Sequence, residues 1–160
     1  MSDKQTFKNP EPKDFMQECT TVWSFPDRGD WATHVNTAKY RGNWSPYIPR
    51  NLIFKYSKVG ETVLDCFCGS GTTAIETKLL GRKCIAIDIN ESAVKLTKKN
   101  LMFGLPPEWR YYEPEVRVGD ARDLSFLEDG SIDLVCAHPP YANIIKYSKE
   151  TVGDLSHLEV

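Results

Sequence analysis

Four short apolar runs, each with a polar residue at or near its end, constrain this chain more than any other feature. TVLDCF (62–67) is followed by TTAIETKLL (72–80), and KCIAIDI (83–89) by ESAVKLTKKNLMF (91–103). EVRVGD (115–120) and IDLVCA (132–137) complete the series. Apolar runs of strand length alternating with stretches of helical period predict β-α-β units, hence a parallel sheet with right-handed crossovers. Both faces of these runs are apolar, as strands lying under helices require. The expected fold class is α/β, a doubly wound and mostly parallel sheet. Asp65, Asp88, Asp120 and His138 each stand at or just past a strand end. That is the edge where open α/β sheets take their ligands.

The remaining punctuation agrees with this layout. Leu52, Ile53 and Tyr56 sit at helical spacing behind Pro46 and Pro49, which suit a first turn, and Gly60 closes that helix. Gly81 stops the helix over 72–80. Asn90 caps the next one and Gly104 ends it. Residues 105–113, with Pro106 and Pro107, form a loop. Residues 1–20 are polar and Pro-containing, and a disordered or arm-like N-terminus is expected there. Residues 21–45 hold three of the four tryptophans in a loop-like setting, which predicts a segment folded over something. GDLSHLEV begins a helix capped by Asp154 or Ser156.

Composition narrows the setting. The chain has 160 residues, the size of one domain, and 41% of them are hydrophobic. A net charge of −2 and a pI near 5.9 give no global electrostatic case for nucleic-acid binding. No apolar run reaches the ~20 residues of a membrane span. The polar start has no signal-peptide core, and a cytoplasmic location is expected. The five cysteines are odd in number and form no CxxC pair, which speaks against zinc or disulfide chemistry, so no metal site is expected. Small buried hydrophobes are the expected role for them.

Two loops carry the chemistry. DCFCGSGTT (65–73) joins the first strand to its helix, and Gly69 and Gly71 permit positive φ and close approach of a ligand to the backbone. The helix N-terminus behind them offers unpaired N–H groups. The loop is neither GxxxxGK[ST] nor GxGxxG. Asp88, 17 residues after Gly71, is placed to take both hydroxyls of a ribose, or else to cap the following helix. Asp120 is placed to accept from an adenine amino group, or else to close an Asx turn. The second loop is HPPY (138–141), whose prolines stop the fourth strand and remove two backbone donors.

Together these motifs resemble the S-adenosylmethionine-dependent methyltransferases, and Pro-Pro-Tyr at the fourth strand resembles the DNA amino-methyltransferases that modify adenine-N6 or cytosine-N4. The resemblance covers about residue 23 to the C-terminus. It implies a Rossmann-like methyltransferase fold, S-adenosylmethionine as cofactor and DNA as partner, with a place in restriction-modification. It implies cofactor-binding roles for Asp65, Phe67, Cys68, Gly69, Gly71, Thr72 and Thr73. The same role extends to Asp88 and Ile89 on the second strand end, and to Asp120 and Ala121 on the third. Trp44, Ser45 and Pro46 resemble the segment closing over the methionine end, although plain packing also suits Trp44. His138, Pro139, Pro140 and Tyr141 take the catalytic role. The exocyclic amine is a poor nucleophile because its lone pair is delocalised into the ring. By resemblance, acceptors at residue 138 and at the Pro139 carbonyl draw that density back onto nitrogen, while Tyr141 stacks on a flipped base.

The expected organisation is an N-terminal arm over 1–20 and a methyltransferase domain over 21–160. That domain divides into a cover segment (21–60), a cofactor half (61–130) and a target-base loop (131–148). Such sheets normally continue past the Pro-Pro-Tyr loop, so the fold is expected to be incomplete at its C-terminus. A second chain or a missing C-terminal part would complete the sheet and read the DNA sequence. His138 stands where the family has Asp, Asn or Ser, which leaves the target base open. A neutral imidazole still offers one acceptor, so activity should fall at acid pH near the ordinary value of about 6.5. Alternatively His138 only orients the loop and Pro139 accepts. Two other functions fit the same residues: RNA amino-methylation at guanine-N2 or adenine-N6, and a non-catalytic cofactor-binding subunit that scaffolds a partner.

Overall fold

The computed structural model describes residues 5–6, 10–142, 144–148 and 151–158. Its elements in chain order are β1 (Gln5–Thr6), α1 (His34–Thr37), α2 (Tyr47–Tyr56), β2 (Thr62–Asp65), α3 (Thr72–Leu79) and β3 (Lys83–Asp88). There follow α4 (Glu91–Asn100), β4 (Phe103–Gly104), β5 (Glu115–Val118), β6 (Leu134–Val135) and a 3-10 turn at Leu155–His157. The main sheet has the order β5-β3-β2-β6 and all its pairings are parallel. The chain therefore runs outward from β2 to β5 and then crosses back to lay β6 on the other side of β2. That reversal opens a crevice at the carboxyl ends of β2 and β6, the topological switch point of such sheets. The α/β, Rossmann-like expectation holds.

Several boundaries moved. The predicted 91–103 helix ends at Asn100, because Phe103–Gly104 pairs in parallel with Gln5–Thr6. The first helix ends at Tyr56 rather than at Gly60. Asn90 does cap α4, its side chain accepting from Ser92 N–H at 2.9 Å. The C-terminal helix is a 3-10 turn with Asp154 as its cap, and residues 159–160 of that prediction lie outside the described residues. So do residues 1–4 and 7–9 of the expected arm.

One face of the sheet carries Val63, Cys84, Ala86 and Val116, and the neighbouring core residues Ile53, Ile75 and Val94 come from α2, α3 and α4. The other face carries Leu64, Cys66 and Ile87 beneath Leu124, Leu127 and Ile132. These last three belong to the irregular β5–β6 connection, so the second face is covered by a loop where a helix was expected. Cys66, Cys68, Cys84 and Cys136 are free and buried, while Cys19 is exposed. Among the described residues no helix is long and apolar enough to cross a membrane.

Helix α3 is buried on every side, including Glu76 and Lys78. Lys78 Nζ donates to the carbonyls of Leu101 and Phe103 and to Glu113. Glu76 accepts from Trp31 Nε1 (2.8 Å), His34 Nε2 (2.7 Å) and Arg50 Nη1 (2.8 Å). The segment before β2 is thus fastened to α3 by one carboxylate. The same Arg50 reaches Glu11, and its guanidinium lies over the rings of Phe15 and Phe54.

Burial alone would raise the Glu76 pKa; the bond from His34 and the charge of Arg50 outweigh it and hold it below the ordinary value. Glu76→Ala leaves a buried guanidinium without this partner, and should cost about 3–5 kcal/mol in urea unfolding. With a lowered folded pKa, the stabilisation from Glu76 is present above the ordinary carboxylate value and lost as pH falls through the folded one. Acid unfolding of the unaltered chain should carry this contribution, and the Glu76→Ala variant should lack it.

Candidate active site

β2 ends at Asp65, and the chain must turn within six residues to enter α3. Gly71, the N-cap of α3, takes φ 91°, which glycine alone adopts freely; a Cβ there would meet Thr97 Cγ2 at 2.8 Å. Gly69 gives room to the Tyr40 ring rather than only to a ligand: its Cβ would lie 3.1 Å from Tyr40 Cε1. The turn is tied to β3 by Gly69 N–H donating to Asp88 Oδ2 at 2.9 Å.

This turn, the ends of β3 and β5, and the loop after β6 enclose one cleft of about 260 Å³. Asp65, Phe67, Cys68, Gly69 and Thr72 line it from the first turn. Asp88 and Ile89, then Asp120 and Ala121, line it from the next two strand ends. Trp44 enters from the cover segment, and His138 and Pro140 from the Pro-Pro turn. The glycine turn and the double-proline turn therefore share a pocket.

Other predicted residues stand off the cleft. Ser45 Oγ donates to the Arg28 carbonyl, and Pro46 is the buried N-cap of α2. Gly71 serves the backbone turn. Thr73 is buried, with its hydroxyl beside Asp65 and Cys136. Pro139 and Tyr141 are exposed. Conversely, Tyr40, Asn43, Ser70, Arg122 and Tyr147 line the cleft without having been singled out, and so do Asn90 and the Gly153–Leu155 segment, of which Asn90 and Asp154 were expected only as helix caps. Asn43 knits the cover to the glycine turn, donating to Ser70 Oγ and accepting from Thr72 Oγ1 at 2.6 Å. It is the residue next to Trp44, and an amide beside a quoted motif was the available signal.

The carboxylates differ in kind. Asp65 is buried and accepts from Phe67 N–H at 3.0 Å; burial dominates and pushes its pKa up to about 7. Burial also raises Asp88, against the N–H groups of Asn90 and Gly69. Arg122 grips Asp120 with Nε and Nη2 and drives its pKa down to about 2, while Arg122 N–H closes an Asx turn on the same carboxylate. His138 stacks flat on Trp44, with ring centroids 5.0 Å apart and planes at 4°. Its Nε2 is 3.0 Å from Tyr141 Oη, and the Tyr141 ring meets it edge-on. Burial holds the imidazole pKa below its ordinary value.

Residues 1–99 match the family described as DNA methylase, and residues 63–151 match a methyltransferase-domain family. The chain belongs to the DNA methylase family. A tRNA (guanine(10)-N2)-dimethyltransferase of Methanothermobacter thermautotrophicus is 34% identical, over 77% of this chain and 36% of its own length. The Type II methyltransferase M.SmaI of Serratia marcescens is 31% identical, over 62% of this chain and 33% of its own. The chain thus spans about a third of the length of these curated relatives. A solved SAM-dependent methyltransferase from Methanosarcina mazei is 29% identical, with a TM-score of 0.46 over 52% of this chain and 39% of that one.

The cofactor of such a domain is S-adenosylmethionine, and the cleft fits it. Its sulfonium and ammonium groups are cationic, and the cleft presents Asp65 and Asp88, while Arg122 at its rim is paired with Asp120. Asp88 sits at the end of β3, where an acidic side chain meets ribose hydroxyls in sheets of this kind. A neutral Asp65 attracts this cation less than an ionised one. Affinity for S-adenosylmethionine should therefore weaken as pH falls from about 8 to about 6, with protons released on binding. Calorimetry in two buffers would read both effects, and Asp65→Asn should flatten them.

Proposed function

We propose that this chain is the catalytic part of an S-adenosylmethionine-dependent methyltransferase acting on the exocyclic amine of adenine or cytosine in DNA. The observation that carries this reading is His138-Pro139-Pro140-Tyr141 leaving β6 beside β2, with His138 and Pro140 in the same cleft as the glycine turn. Membership of the DNA methylase family supports the substrate class. Bound S-adenosylmethionine supplies a methyl activated on sulfur. The protein's part is to hold the amine in line and keep its lone pair on nitrogen. Pro139 is exposed at the turn, and its carbonyl is the acceptor for the amino group. His138 is fixed by Trp44 on one face and by Tyr141 at Nε2, which orients the turn. Asp65, Asp88 and Asp120 hold the cofactor. We assign residues 21–60 as the cover, 61–130 as the cofactor half and 131–148 as the target-base loop, in a cytoplasmic protein of restriction-modification type.

A second reading, methylation of RNA, is favoured by the tRNA guanine-N2 enzyme that matches over most of this chain. Transfer of labelled methyl to duplex DNA, to single-stranded DNA and to tRNA separates the two. DNA labelling with tRNA inert is the expected result, and the reverse would replace the proposal.

The acid limb of the rate should lie below pH 6.5, since burial lowers the His138 pKa and the neutral ring is the working form. In His138→Asn that limb should disappear from the rate–pH profile, while substantial activity remains.

A further inference from the structure

The segment after the Pro-Pro turn comes back to the cleft, and Tyr147 stands where the two turns meet. Its carbonyl accepts from Asn90 Nδ2 at 3.1 Å, at the β3 end, and its N–H donates to Ser156 Oγ at 3.2 Å. Its hydroxyl lies over Gly42, where an added Cβ would fall 1.9 Å from Oη. The main-chain N–H of Tyr141 faces the same hydroxyl. Tyr40 lies against the glycine turn through Gly69. The two rings are 6.2 Å apart, tilted by 32°, and both line the cleft. Burial raises both phenol pKa values, so both rings stay neutral at working pH.

For a methyl to pass from cofactor to acceptor, the sulfonium must lie between the glycine turn and the Pro-Pro turn. Tyr40 touches the first and Tyr147 the second. An aromatic face attracts a cation within about 6 Å of its centroid and has no such pull on a neutral thioether. We propose that Tyr40 and Tyr147 form an aromatic clasp that reads the positive sulfonium and so distinguishes S-adenosylmethionine from its demethylated product, S-adenosylhomocysteine. Asp65, Asp88, Asp120 and Asp154 also border the cleft; Asp120 is paired with Arg122, Asp154 is committed to Ser148 Oγ and Ser156 N–H, and Asp65 and Asp88 are left unchanged in the tyrosine variants. The clasp rests on the proposed methyl transfer, in which the Pro-Pro turn receives the acceptor, and is the same for DNA and RNA.

Isothermal titration of the purified chain with each ligand tests this. Tyr147→Leu and Tyr40→Leu should each weaken S-adenosylmethionine by about 2- to 30-fold more than S-adenosylhomocysteine. Tyr147→Phe keeps the ring and should restore the unaltered ratio. Gly42→Ala, which displaces the Tyr147 hydroxyl without touching a carboxylate, should shift the ratio in the same direction as Tyr147→Leu. Equal weakening of both ligands, or no change in either, would overturn the clasp. If Tyr147→Leu lacks cooperative thermal unfolding, Tyr40→Leu decides the matter alone.

Discussion

A single buried carboxylate, Glu76, fastens the segment before β2 to the helix behind the glycine turn. Three donors converge on it from Trp31, His34 and Arg50. Trp31 and His34 come from a stretch with little regular structure of its own, α1 being four residues long with Trp31 before it, and Arg50 comes from α2. That anchor acts together with the bonds of Asn43 to Ser70 and Thr72 and the stack of Trp44 on His138, which hold the same segment at the cleft. Charged groups pay a heavy desolvation cost inside a protein, so such a hub persists only when every partner is in place. The segment that supplies the wall of the site is thereby bonded directly to the helix supporting its turn.

Electrostatics then divides the labour among the strand ends. Asp65 is fully enclosed and weakly acidic, Asp88 is half-buried and braced by two N–H groups, and Asp120 is neutralised by Arg122 at the rim. One residue type at the ends of three neighbouring strands of the sheet therefore offers three different charges to a ligand near neutral pH. What distinguishes them is depth and the neighbouring donors, not position in the strand.

Much of this was legible in the residues. Apolar runs closing on Asp65, Asp88 and Asp120 located the sheet edge because alternation between strand and helix is written in local periodicity. Asn90 as a cap was legible for the same reason. The cover segment was not, since Trp44 meets His138 across the whole fold, and long-range aromatic stacking leaves no spacing rule. Nor was the return of Tyr147 and Asp154 to the cleft: GDLSHLEV read as a helix start, and hydrogen bonds among Ser148, Asp154 and Ser156, with those of Tyr147 to Asn90 and Ser156, curl it inward. The bridge of Gln5–Thr6 to Phe103–Gly104 is two residues long on each side, too short for any period to show. Burial of Glu76 and Lys78 was hidden because charge normally marks the outer face of a helix, whereas α3 has none.

The flat stack of Trp44 on His138 joins the cover segment to the loop after β6. The imidazole and the indole are matched in size and plane, and aspartate or serine would leave the indole face bare. Grafting a relative's tetrapeptide into this scaffold is therefore not a modular exchange. The residue at 138 and the one at 44 pack as a unit, and a transplant that respects only the contiguous motif carries half of it.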